Sequence, residues 1–325
     1  MISKNLMNVY WFQDLKTGHL KQVQALLDQL KKEIEISITT INFSDQENLS
    51  EILTNKNQFN RPIILIGAGH EVYPVILQAK KYLEKFTNQS IFSIAVLRPS
   101  YKLNSFDLIV APEHDFRKRH LPENVISFQG SLAPTSQTPI DKNKAIIAIG
   151  GPSKHYKFDQ EILLKQIHFI LSMYQKYKFK IFNSRRTPDV LNIKLKRELD
   201  SYPNVKFIHL NSPESDLFQV TLNESALKFV TPDSSNLVFE ALSTQGQTYL
   251  IQIESSKYRR IFGSKKIRET MSELVKSKRV GAVSILNKKG GIDISKIENP
   301  SQHFEPLAEV EKVSFSIMKF ITNQK

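Results

Sequence analysis

The chain of 325 residues contains no cysteine, which excludes disulfides, thiolate metal sites and thiol catalysis together. It also has no apolar run near the ~20 residues that a membrane-spanning helix needs. The start, MISKNLMNVYWF, lacks the apolar core and small-residue cleavage site of a secretory signal and reads as a first strand. A cytoplasmic location is the expectation these absences leave. Several chemical signatures are missing as well. There is no zinc-finger spacing, no aromatic-interleaved RNA-binding signature, no HExxH, no GxSxG elbow, no Walker loop and no dinucleotide fingerprint. Neither a metal nor specific nucleic-acid binding is therefore expected. Acid is in short supply: 32 Asp and Glu stand against 45 Lys and Arg, a net charge of +13.

The positive charge is unevenly placed. Residues 255–290 carry eleven Lys or Arg against only Glu269 and Glu273, and Arg117-Lys118-Arg119-His120 forms a smaller cluster. Such patches attract nucleotide phosphates, anionic lipid or nucleic acid, or are simply a solvated basic face. With 40% hydrophobic residues and this length, the chain is expected to fold as two globular domains.

The order of apolar patterns is that of an α/β protein. Strands are expected at 7–12, 37–43, 61–69, 90–99, 106–115 and 125–134, with helices at 21–34 and 72–86 between the early ones. The run RPIILIGAG (61–69), rich in β-branched residues, reads as a central parallel strand. PTSQTPIDKNK (134–144) is polar and without periodicity, the best linker candidate. The pattern then restarts with strands at 145–151, 179–188, 205–210, 226–234 and 247–254, and helices at 160–177, 190–201 and 308–324. Strands alternating with helices imply right-handed crossovers and parallel sheets. In such sheets ligands gather at the carboxyl ends of the strands.

Those ends hold the residues with chemical potential. AIIAIGGPSKHY (145–156) stops a strand on Gly150 and Gly151 and then sets out Ser153, Lys154 and His155. It is either a plain turn or a loop that lets backbone N–H groups approach a phosphate. NSRRTP (183–188) offers Ser184, Arg185, Arg186 and Thr187, where Arg suits bidentate phosphate contact and a solvated pair is the plainer reading. In VTPDSSNLVFEA (230–241), Asp233, Ser234 and Ser235 precede a helix that carries Glu240; they read as caps or as anion-site groups. In the first half, FQDLKTGHLKQ (12–22) places Asp14, Gly18 and His19 after strand one, where a histidine can serve as a general base or be merely structural. Gly67-Ala68-Gly69-His70 and Glu113-His114-Asp115 follow two further strands.

FQDLKTGHLKQVQAL, DLIVAPEHD, GGPSKHY, SRRTP and VTPDSSNLVFEA, in this order over roughly residues 7–262, resemble the family of the plant mitochondrial fission protein whose loss elongates mitochondria, in its bacterial form. The resemblance implies a fold similar to GT-B glycosyltransferases: two facing Rossmann-like, doubly wound domains with a cleft between them. It places an acceptor domain at 1–138, a nucleotide-sugar domain at 139–305, and a final helix at 306–325 that packs back on the first. It implies that Gly150, Gly151, Ser153, Ser184, Arg185 and Thr187 hold a donor diphosphate. Asp233, Ser234 and Ser235 would stand beside it at a helix N-terminus, with Glu240 on the ribose. The Gly18-His19 stretch is similar to the glycine-histidine loop of the N-acetylglucosaminyl transferase that makes lipid II, although the fuller glycine-rich loop of that enzyme is absent.

The expectation is a metal-independent glycosyltransferase that needs no cofactor. It would move a sugar from a nucleotide diphosphate to an acceptor hydroxyl, with His19 or Asp14 as base. The basic patches would hold it peripherally on the inner face of an anionic membrane, near a lipid-linked or envelope glycan acceptor. Two alternatives remain: a non-catalytic membrane adaptor on the same fold, and a nucleotide-sugar epimerase or hydrolase.

Overall fold

The computed structural model describes residues 6–44, 49, 53, 61–116, 120–153, 156–253, 265–287, 293–301 and 305–323. The chain forms two compact units, Met1–Pro134 with Ala308–Lys325, and Thr135–Leu307. Each is built around one sheet.

Unit 1 contains β1 (Met7–Gln13), β2 (Ile36–Asn42), β3 (Ile63–Ala68), β4 (Ile91–Val96), β5 (Leu108–Pro112) and β6 (Val125–Phe128), with α1 (Thr17–Glu33) and α2 (Val72–Leu83). All pairs are parallel, in the order β2-β1-β3-β4-β5-β6. β3 is buried along its whole length, as its unbroken IILIGA requires, because a parallel strand is covered on both faces. The apolar positions Val23, Leu26, Leu27 and Leu30 put one face of α1 on the sheet. α1 begins at Thr17, four residues before the expected start, so His19 stands in its first turn and not in a preceding loop.

Unit 2 contains β7 (Asp141–Ala148), β8 (Lys178–Phe182), β9 (Val205–Ile208), β10 (Ser225–Val230), β11 (Gln247–Ile251), β12 (Gly281–Asn287) and β13 (Asp293–Glu298). Its helices are α3 (Gln160–Met173), α4 (Asp189–Leu199), α5 (Phe218–Glu224), α6 (Ser235–Leu242) and α7 (Lys265–Lys276). The order is β13-β12-β11-β10-β7-β8-β9, parallel except for the antiparallel β12–β13 pair. The Asp159 carboxylate caps α3 by accepting from the N–H groups of Glu161 and Ile162. The polar stretch expected as a linker already belongs partly to the sheet: β7 starts at Asp141 and its lead-in pairs with Ser225 of β10 across an irregular register. The basic segment 255–290, expected as a charged surface that meets an anionic membrane, contributes α7 and β12 to unit 2. Residues 254–264 and 288–292 lie outside the described residues, as do Arg117, Lys118, Arg119, Lys154 and His155.

The last helix, α8 (Glu309–Asn323), belongs to unit 1, where Val310, Val313, Ile317 and Ile321 enter the same apolar cluster as Leu26, Leu30 and Phe92. The Gln129 N–H donates to Glu309 Oε2 at 2.9 Å at its start. Among the described residues no helix is long and apolar enough to cross a membrane.

Candidate functional site

Chain order reverses once in each sheet. In unit 1 the reversal lies between β1 and β3, and in unit 2 between β7 and β10. Crossover helices leave to opposite faces at such a point and open a crevice outside the carboxyl ends of the strands. The sequence-identified residues collect at both.

At the unit 1 reversal, the Asp14 carboxylate is buried and Oδ2 lies 2.7 Å from His19 Nδ1, while the imidazole is partly open, with 23% of its side chain exposed. Asp14 Oδ1 accepts from the Lys16 N–H at 3.1 Å, so the carboxylate is pinned from both sides. Asp14 and His19 therefore form a dyad in which the acid orients and the imidazole presents Nε2, and they are not two interchangeable bases. The neighbouring strand supplies the space. Gly69 follows β3 with φ +112°, and a β-carbon there would overlap Asp14 Oδ2 and lie 3.0 Å from His19 Nδ1. Only glycine meets both demands. Leu15, directly after Asp14, is 99% exposed, an apolar side chain set out beside the dyad. Sequence reasoning passed it over because one leucine in a polar loop carries no periodicity.

At the unit 2 reversal three loops lock into one another. The Gly150 N–H donates to Thr231 Oγ1 at 2.8 Å and the Gly151 N–H to Asp233 Oδ2 at 2.9 Å. Thr187 is buried, and its hydroxyl donates to the Gly150 carbonyl at 2.5 Å while accepting from the Ser184 N–H at 2.9 Å. A β-carbon at Gly150 would overlap the Asp233 carboxylate, and one at Gly151 the Arg186 carbonyl. The two glycines thus answer a local demand of packing as well as any demand of a ligand. Asp233 pairs with Arg186 at 2.8 Å. Its burial pushes the carboxyl up from the ordinary range, while the Gly151 N–H, Thr231 and Arg186 pull the other way. Arg185, the arginine carried into the expected diphosphate set, is exposed; Arg186 is the one directed at Asp233. The doublet gave the sequence no means of telling the two apart.

Ser234 is the N-cap of α6, but its side chain makes no cap hydrogen bond, which departs from the plain capping reading. A helix start leaves its first-turn N–H groups without intrahelical acceptors, and the macrodipole adds positive potential there. Ser235 opens the helix and Glu240, partly exposed, lies within it. Ser153 is described and partly exposed on the loop after Pro152. Beside Pro232 lies a cavity of about 420 Å3 lined by Tyr156, Leu250, Gln252, Arg268 and Met271. Burial pushes the Tyr156 phenol up to about 12, with Arg268 opposing and Asp233 reinforcing that shift. Among the described residues, no three His, Asp or Glu converge as a metal set.

The chain is similar to the Rickettsia prowazekii (strain Madrid E) protein RP120, 24% identical, covering 97% of this chain and 98% of that protein. It is 19% identical to the Mitochondrial fission protein ELM1 of Arabidopsis thaliana over 72% of this chain, and spans 62% of the plant protein's length. Among solved structures it is similar to the UDP-GlcNAc 2-epimerase of Neisseria meningitidis bound to UDP-GlcNAc, with TM-score 0.56, 11% identity and coverage of 98% and 100%. The UDP-GlcNAc 2-epimerase of Methanocaldococcus jannaschii gives TM-score 0.51, 12% identity and coverage of 97% and 99%. At such identities the likeness shows the fold alone, a pair of Rossmann-like domains of the GT-B type. Residues 17–320 match the family described as Mitochondrial fission ELM1, and the chain belongs to that family.

Proposed function

We propose that the chain is a nucleotide-sugar-dependent glycosyltransferase in which unit 2 binds the donor diphosphate and unit 1 activates an acceptor hydroxyl. The observation that carries this reading is the dyad: a buried Asp14 holds His19 Nδ1, which leaves Nε2 as the basic nitrogen at the strand-end crevice of unit 1. His19 would accept the acceptor proton as the hydroxyl attacks the anomeric carbon, and the nucleoside diphosphate would leave. A general base of this kind supplies typically 10²–10⁴-fold.

On the donor side the first turn of α6 and the Ser234 hydroxyl are suited to the leaving diphosphate, with Ser184, Arg185 and Ser153 on the flanking loops. The cavity beside Pro232 has room for a nucleoside, and Glu240 is the carboxylate proposed for the ribose. Thr187, Gly150, Gly151 and Asp233 act one step back, by fixing the three loops in register. A structural relative that binds UDP-GlcNAc makes a uridine nucleotide the first donor to test. The reading needs no metal or cofactor. The exposed Leu15 suits an acceptor with an apolar portion, and the basic surface suits an anionic membrane on the cytoplasmic side.

The test is thermal denaturation against a panel of nucleoside diphosphates and nucleotide sugars, because a ligand at about 100 times its Kd adds ~2.7 kcal/mol to stability. One nucleotide is expected to raise the Tm selectively. Glu240→Ala and Arg185→Ala should weaken that shift, while His19→Gln should keep it and lose transfer. No shift with any nucleotide would overturn the reading and favour an adaptor. The likeness to 2-epimerases sustains a second reading, epimerisation or hydrolysis. Consumption of the nucleotide sugar without any acceptor would establish it.

A further inference from the structure

The carboxyl end of β4, two strands from the dyad in the order β1-β3-β4, carries a local backbone cost. Leu97, the residue after β4, has φ +69°, a left-handed conformation that a leucine adopts only under constraint. The constraint is visible. The Tyr73 hydroxyl lies 2.8 Å from the Val96 carbonyl and 3.1 Å from that of Leu97, and the Leu97 N–H donates to the Val110 carbonyl at 2.7 Å. Burial pushes the Tyr73 phenol up, so it stays a neutral hydroxyl donor.

The residue this turn delivers is Arg98. Its guanidinium lies over the Phe116 ring, 5.2 Å from the centroid, and its Nε is buried with no hydrogen-bond partner among the described residues. Among the described residues Arg98 makes no ion pair, although Asp14, Glu71, Glu113 and Asp115 all stand on loops of the same strand-end edge. Asp14 is engaged by His19 and Lys16. A half-buried guanidinium that no described carboxylate neutralises leaves its terminal N–H groups to water or to the oxygens of a ligand. The aromatic ring holds the plane of the fork and cannot satisfy its N–H groups. Neighbouring strands lie ~4.8 Å apart, so β4 ends ~10 Å from β1, about the span from a reacting hydroxyl to an anionic group a few bonds away.

We infer that Arg98 is an oxyanion-binding residue of the acceptor site, taking a phosphate group carried by the acceptor while His19 addresses its hydroxyl. This rests on the transferase reading for its purpose, but not for its test. The strained turn positions the fork, the Phe116 ring lies against it, and the phosphate oxygens accept from its terminal N–H groups. The acceptor is therefore a phosphorylated molecule, either a soluble phosphate monoester or a lipid phosphate.

The experiment uses the full chain in wild-type, Arg98→Gln and Arg98→Lys forms. Glucose 1-phosphate and glucose are titrated calorimetrically, and flotation is measured with phosphatidylcholine vesicles with and without phosphatidic acid. Wild type should bind glucose 1-phosphate or the phosphatidic acid vesicles, and not glucose. Arg98→Gln should weaken that binding roughly tenfold, and Arg98→Lys by several-fold, because an ammonium keeps the charge and loses the fork. A loss confined to the vesicles assigns the phosphate to a lipid; one confined to the titration assigns it to a soluble acceptor. Equal affinity in wild type and both variants, or no phosphate binding by wild type in either arm, overturns the inference. If Arg98→Gln does not fold, Arg98→Lys decides alone. The nucleotide-induced Tm shift is read in parallel. A shift without an Arg98 effect removes only this inference, and an Arg98 effect without a shift removes only the transferase reading.

Discussion

Lys228 shows how much a single buried residue can set at a distance from the site. It lies wholly inside β10, with its ammonium near the carbonyls of Ala241, Thr244 and Gln245 and 2.5 Å from Thr244 Oγ1. The ammonium thus gathers the carbonyls at the C-terminus of α6, the helix whose other end faces the proposed diphosphate, and a cation is favourable there. Burial pulls its pKa from 10.5 down to about 7, with Arg279 adding to the shift. The unfolded chain then holds one more proton than the folded chain between those two values. Stability should consequently rise with pH across that window. Urea midpoints of wild type and Lys228→Met between pH 7 and 9 are expected to show this rise in wild type alone; parallel curves would remove the residue from the account. An apolar-flanked lysine in ALKFV looks in sequence like any outward-facing strand residue, because the sequence does not say that both faces of β10 are covered.

At the scale of elements, the loops after the strands are built as interlocking pairs. The loop after β3 makes room for the carboxylate after β1, and the loop after β7 makes room for the carboxylate after β10. Gly69→Ala and Gly150→Ala should each cost ~1–3 kcal/mol, the first through its φ of +112° and its overlap with Asp14, the second by displacing Asp233. Equilibrium unfolding measures both, and unchanged midpoints would mean that the loops yield freely. The sequence showed these glycines at the ends of apolar runs and so located the loops. It could not show which side chain fills the space opposite, since Gly150 and Asp233 are 83 positions apart and meet only because β7 and β10 are neighbours. Strand cores were legible for a simple reason: a continuous β-branched run has few other stable environments. The ends were not, and the expected strands at 90–99 and 106–115 end at Val96 and Pro112, where the chain turns to deliver Arg98 and Glu113-His114-Asp115.

For the whole molecule, the notable feature is that unit 1 is discontinuous. Its cluster is completed by Val310, Val313, Ile317 and Ile321, which follow all of unit 2 in the sequence. Fully burying such side chains is worth ~1.5–3 kcal/mol each, so the helix as a whole contributes on the scale of a domain's net stability. Ile317→Ala is expected to destabilise by ~2–5 kcal/mol, and the two units should then melt in separate steps in calorimetry. A loss within ~0.5 kcal/mol, the range of a surface site, would show that the helix only rests on the surface.

The sequence by itself determined the α/β class, the succession of two strand-helix units, the apolar face of the last helix and the strand ends where polar and glycine residues collect, because hydrophobic period and turn chemistry are local properties. Only the tertiary structure decided that Asp14 and His19 are one dyad, that Arg186 and not Arg185 meets Asp233, that Thr187 is spent on the Gly150 carbonyl, and that Arg98 Nε has no acceptor among the described residues. Those facts depend on which strands lie side by side and on which groups already have partners. Both are set by the packing of residues far apart in the chain.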